Sequence, residues 1–120
     1  ITNNAGPNGL VIQSDATGNG SLIVHGSASG GGTVQRYVAG YTSNSGSGNG
    51  WHEIGCPVQS MTISSSSSFY PGTSDDLYKW DENVSDGKNW LNYKANSFDF
   101  AAGEGYLVAR NTAITYSYTG

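Results

Sequence analysis

Residues 76–94 read DLYKWDENVSDGKNWLNYK, two aromatic-rich flanks around a polar, glycine-containing centre. Centring a turn on Ser85 makes facing residue numbers sum to about 170, the antiparallel pairing rule of a hairpin. Trp80 then faces Trp90, Tyr78 faces Asn92, and Glu82 faces Lys88 as an opposite-charge pair near the tip. Because side chains alternate along a strand, Tyr78, Trp80 and Trp90 share one face, and Leu77, Lys79, Asp81, Leu91 and Tyr93 share the other. A slip of one residue would put the indoles on opposite faces. Large apolar side chains belong inside, so the indole face is expected in the core. The second face, with Lys79, Asp81 and Tyr93, is expected in solvent. Trp80, Trp90, Tyr93, Lys79, Asp81 and Asp86 are the candidate ligand-binding residues, since exposed indoles would stack on sugar rings and the others would hydrogen-bond them.

The flanking chain has the same strand character. GLVIQSD and GSLIVHG, joined by ATGN, read as an N-terminal hairpin; GTVQRYVAGY alternates; WHEIGCPVQ is a strand that stops or lies at an edge near Pro57. Thr42 to Gly50 and the serine run Ser64 to Ser68 read as low-complexity loops. Pro71-Gly72 suits a type II turn. A short strand in SFDF, a tight turn in AAGEG, YLVAR and AITYSYT complete the chain, with Ile114, Tyr116 and Tyr118 on one face. About nine or ten strands and no helix predict an all-β antiparallel β-sandwich or jelly roll. The whole of 1–120 is one β-domain, with a β-solenoid-like hairpin region over 1–32 and an aromatic-rich sandwich over 33–120.

Composition narrows the function. Charged residues make up only 12% of 120, and glycine accounts for 18. Five Lys and Arg against nine Asp and Glu give a formal charge of −4, too few cations for a nucleic-acid surface. No stretch is long and apolar enough to insert in a membrane. The single cysteine, Cys56, excludes an internal disulfide and suits a small core position. Isoleucine at position 1 and no signal peptide suit a processed or excised segment.

Catalytic signatures are missing. The nine acids show no spacing that pairs two across a cleft, and neither His25 nor His52 accompanies a nucleophile motif. His52 reads as a strand residue with a satisfied hydrogen bond. The protein is therefore expected not to be an enzyme and to need no cofactor. Calcium is the one metal considered, with Asp75 and Asp76 as weak candidates; DENVSDG lacks the glycine and glutamate of a helix–loop–helix calcium site. NVS at Asn83 is a formal glycosylation sequon.

Six stretches, GLVIQSDATGNGSLIVHG, VQRYVAG, GWHEIGCPVQ, DLYKWDE, NWLNYK and GEGYLVA, run in that order from Gly9 to Ala109. Together they resemble a recurrent β-rich accessory module of secreted multidomain surface proteins of Bacteroidetes-type bacteria, commonly exported by type IX secretion. Cys56 stands where the familiar pattern has serine, which argues against a hydroxyl role there. The resemblance implies a secreted or cell-surface address and an accessory role, and supplies no catalytic residues. The expected function is a recognition or adhesion module whose partner is a polysaccharide or surface glycan. The alternative is a structural spacer, stalk cap or fibre subunit, pairing through edge strands such as residues 1–15 with neighbouring domains or copies of itself.

Overall fold

In the computed structural model, which describes residues 1–41, 50–84 and 87–120, strands account for nearly all regular structure. The strands are β1 (Val11–Ile12), β2 (Ser14–Asp15), β3 (Gly18–Asn19), β4 (Thr33–Val38), β5 (Trp51–Gly55), β6 (Ser60–Met61), β7 (Asp76–Trp80), β8 (Trp90–Asn92), β9 (Phe100–Ala101), β10 (Gly105–Ala109) and β11 (Ile114–Thr119). A three-stranded sheet has the order β1-β4-β11 and a four-stranded sheet the order β5-β10-β7-β8; β2 with β3 and β6 with β9 make small ladders. All pairings between these strands are antiparallel except β1 with β4. The protein is an all-β sandwich, as its sequence predicts.

Alternation selects the core. Tyr116 and Tyr118 of β11 and Val38 of β4 face Ile54, Leu77, Tyr106 and Val108 of the four-stranded sheet. Phe69 sits among them, stacked on Tyr116 with centroids 4.3 Å apart and tilted against Tyr118 at 4.6 Å. Phe100 meets Phe69 edge-on at 4.6 Å and Tyr106 at 4.4 Å. Such ring pairs add to the stability that area burial alone gives. Burial pushes the Tyr106 and Tyr116 phenols up to about 12, with hydrogen bonding and the charge of Arg110 opposing the rise at Tyr116.

The serine run is a turn-rich connector held by hydrogen bonds. Turns closed by Ser67 N–H to Ser64 O (2.9 Å) and Tyr70 N–H to Ser67 O (3.1 Å) deliver Phe69 inward. Ser68 Oγ accepts the Ser117 N–H of β11 at 3.0 Å, and Ser68 O accepts from Arg110 at 3.3 Å. The outer edge of β11 is thus met by a side chain, one of the ways a sheet edge is closed to further pairing. The run is low in complexity, as its composition gives it, yet its serines supply turn and edge hydrogen bonds; of the other such stretch, Thr42 to Gly50, residues 42–49 lie outside the described residues.

Two further expectations are corrected. GLVIQSD and GSLIVHG meet at the foot of a short hairpin, where Gly20 N–H donates to Gln13 O at 2.7 Å, and form no longer ladder with each other. β1 lies parallel to β4, with Val11 beside Thr33 and Ile12 beside Val34, and Gly20–Gly26 contains no strand. The hairpin that forms is the small β2–β3 turn, where Asp15 accepts from Thr17 N (2.7 Å), Thr17 Oγ1 (2.6 Å) and Gly18 N (3.1 Å), lowering its carboxyl pKa. A carboxylate at the turn outcompetes longer pairing, since it satisfies the turn's own amides. At Pro71-Gly72, Gly72 is absent from the left-handed glycines, so no type II turn forms. The chain turns two residues later, from Gly72 to Asp75, whose carboxylate accepts the Gly72 N–H at 3.2 Å.

Candidate functional site

The β7–β8 hairpin has the register that its sequence predicts: Tyr78 faces Asn92, Lys79 faces Leu91, and Trp80 faces Trp90. Asp81 N–H to Asn89 O at 2.8 Å extends the ladder toward the tip. Ser85 and Asp86 lie outside the described residues. The orientation of the faces, however, is opposite to expectation. Leu77 is 1% exposed and belongs to the core, whereas Trp80 is 51% and Trp90 44% exposed. The expected burial of the two indoles is therefore overturned. Leu77 fills the space beside Val108, and alternation then forces Tyr78 and Trp80 outward.

The same rule brings in a third indole. In β5, Ile54 points into the core, so Trp51 and Glu53 point out; Trp51 is 42% exposed. All three tryptophans of the chain thus lie on the outer surface of the four-stranded sheet, with Tyr78 and Leu107 between them. Trp80 and Trp90 meet edge-to-face, centroids 5.2 Å apart and planes at 73°. Trp51 and Tyr78 do so at 5.6 Å and 66°. Trp51, Tyr78, Trp90 and Leu107 line an open depression of about 290 Å³. Beyond Trp80 lies a second, polar depression of about 430 Å³ lined by Lys79, Asp81, Glu82, Asn83 and Glu104. Residue types that stack on rings therefore adjoin residue types that bond hydroxyls.

The candidate residues divide on this map. Trp80 and Trp90 are on the aromatic face; Lys79 and Asp81 border the polar depression. The Lys79 ammonium stands 5.5 Å from the Phe98 ring centre, a cation–π contact across the sheet's inner side. Asp81 accepts from Asn83 N (3.0 Å) and Nδ2 (3.2 Å), so it also shapes the turn that carries the NVS triplet. Tyr93 is not in the site. Its hydroxyl donates to Ile63 O at 2.8 Å, and its ring packs against Tyr70 and Phe98. Desolvation first, then the charges of Tyr70 and Asp99, raise its pKa. The exposed position expected for Tyr93 is corrected by this half-buried, bonded one.

The two acids considered for calcium are engaged otherwise. Asp75 is buried and pairs with Arg110 at 3.1 Å; Asp76 pairs with Lys94 at 3.4 Å and accepts from Asn92 Nδ2 at 2.9 Å. Asp75 precedes β7 and is directed to Arg110, while Asp76 begins the strand and is directed to Lys94 and Asn92, so the two carboxylates serve different partners. No group of three or more His, Cys, Asp or Glu suited to a metal occurs among the described residues. His52 Nε2 lies 3.1 Å from Ala39 O, and Cys56 is buried with its thiol donating to Val58 O at 3.2 Å.

Trp51 and Tyr78 escaped the sequence-derived site. Alternation puts Tyr78 on the indole face, which suffices to include it because that face is the outer one. Trp51 offered only the alternation of WHEIG. Its partnership with Tyr78 depends on β10 lying between β5 and β7, which no local pattern encodes. No protein-family model, curated protein or solved structure matches this chain.

Proposed function

We propose that the protein is a non-catalytic recognition module of a secreted or cell-surface protein, and that it binds a glycan on the outer face of the four-stranded sheet. The observation that supports this most is the gathering of Trp51, Trp80 and Trp90 on one solvent-facing surface. An indole left about half exposed forgoes roughly 3 kcal/mol of burial free energy at about 25 cal/mol per Å². Three such residues beside one another make a surface that gains by being covered. The C–H faces of pyranose rings suit indole faces, and the carboxylates of Asp81 and Glu104, whose bonded oxygens are Oδ1 to Asn83 and Oε2 to Tyr106, line the adjoining polar depression with Asn83 and offer acceptors to hydroxyls. Calorimetric titration of soluble glycans into wild-type protein and into a Trp80→Ala/Trp90→Ala double variant tests the proposal. Binding weakened by about tenfold or more in the variant is expected; unchanged binding by the double variant, or no glycan bound by wild type, refutes it.

A structural role through strand edges draws on a different observation. β1 ends the three-stranded sheet, and Leu22 (43%) and Ile23 (76%) are exposed in a segment without strand pairing. Pairing of residues 1–15 with an adjacent sheet is less available than expected, because β4 already occupies one side of β1. Sedimentation at rising concentration separates the two roles: self-association lost on Ile23→Lys would favour the structural one.

A further inference from the structure

We propose that the aromatic face takes a single, neutral polysaccharide chain, and that it discriminates against both crystalline polysaccharide surfaces and anionic glycans. The inference rests on the glycan function proposed above. Ring geometry excludes the crystalline class. A crystal face presents its sugars in one plane and is met by rings that share a plane. Here the members of the two pairs are turned by 73° and 66° from each other, so at most one ring of each pair lies flat against a planar ligand. A single solvated chain rotates at each glycosidic bond and can meet the rings in succession.

Span and area fit the same ligand. From Trp51 on β5 to Trp90 on β8 the sheet crosses three strand spacings, roughly 14 Å at about 4.8 Å each, the length of a short oligosaccharide. The three indoles expose about 350 Å² together, taking about 250 Å² for a whole side chain. A stable protein partner covers about 800 Å² on each side, so the aromatic patch alone is too small for one.

Charge excludes the anionic class. Glu53 and Asp76 lie on the outer face, and Asp81, Glu82 and Glu104 border the polar depression beside Trp80. The lysines nearby are Lys79, Lys88 and Lys94. Lys79 is held over Phe98 and Lys94 is bridged to Asp76, while Lys88 is engaged as well. Five carboxylates against these three ammonium groups leave the face net negative, so it repels a uronate or sulfated chain, whereas neutral hydroxyls meet acceptors.

Affinity electrophoresis in neutral soluble polysaccharides (xylan, galactomannan, mixed-linkage glucan) and acidic ones (alginate, polygalacturonate), with pull-down on crystalline cellulose and chitin, tests the inference. Retardation by at least one neutral chain is expected, lost on Trp51→Ala, with binding to acidic chains and crystals weaker by about tenfold or more. Raising the salt should narrow the gap for acidic chains, since screening relieves the repulsion. Crystalline or acidic polymers bound as tightly as neutral chains would overturn this inference and leave the glycan function standing. Binding to none of them would overturn both.

Discussion

Replacing Phe69 by alanine isolates the part of the fold that joins the two sheets. Phe69 is 2% exposed and touches Phe100, Tyr116 and Tyr118 with centroids between 4.3 and 4.6 Å. Removing a buried phenyl ring from such a site costs about 3–5 kcal/mol, from lost transfer energy plus the cavity left behind. A chain of 120 residues has a total stability of about 6–18 kcal/mol, so the variant should keep its fold with a much lower urea midpoint. Far-UV circular dichroism during urea unfolding measures it, and an unchanged m-value would show that the native surface is retained. Tyr70→Ala, next in sequence but 48% exposed, is the control and should cost about 1 kcal/mol or less. A Phe69→Ala loss below about 1 kcal/mol would refute the placement of Phe69 as the common contact of both sheets. It would also remove the reason for Ser68 to stand at the edge of β11.

Asp75→Asn should destabilise by about 3 kcal/mol, because it leaves the mostly buried Arg110 guanidinium without its anion; a change within measurement error in urea unfolding would contradict that. Stability should fall in alkali. Tyr106 and Tyr116 hold their protons up to about 12 in the fold but only to about 10 when unfolded, so their contribution is complete below pH 10 and is lost as pH rises toward 12. The expected slope is up to about 1.4 kcal/mol per pH unit for each tyrosine; a phenolate titration complete near pH 10 with the fold intact would disprove it. Trp80→Ala should lower stability by no more than about 3 kcal/mol, the low end of the Phe69→Ala cost, since half of the ring is already in water and truncation leaves no enclosed cavity. A loss as large as that of Phe69→Ala would mean that the indole is a core residue. The Cys56 thiol, buried and bonded to Val58 O, should resist aqueous thiol reagents until denaturant is added; prompt modification of native protein would place it at the surface.

How much of this was legible depends on the range of the interaction. The register of β7 and β8 could be read from residues 76–94, because a hairpin is local and its opposed pairs are fixed by the turn. Which face looks inward could not. Alternation says that Leu77 and Lys79 share a side, but not that the other sheet lies on that side. As a residue type Lys79 belongs in solvent, yet its ammonium stands over the Phe98 ring. The parallel ladder of β1 with β4 was invisible for the same reason: Val11 finds Thr33 across the intervening β2–β3 hairpin. Of the site, Trp80 and Trp90 were legible as a pair. Trp51 required knowledge that β10 separates β5 from β7, and Tyr93 was misplaced because its partner, Ile63 O, lies 30 residues away.

The segregation of aromatic types also divides the protein's optical signals. Every indole is on the outer sheet face, while Tyr106, Tyr116 and Tyr118 are in the interior. Intrinsic emission excited at the indole band therefore reports on the candidate binding face and not on the core. Native emission should already be that of partly hydrated tryptophan and should shift little on unfolding. A bound sugar, by displacing water from the same rings, should move it to the blue. The raised phenol ionisation of the interior tyrosines Tyr106 and Tyr116 carries the complementary information, since Tyr78 shares the indole face.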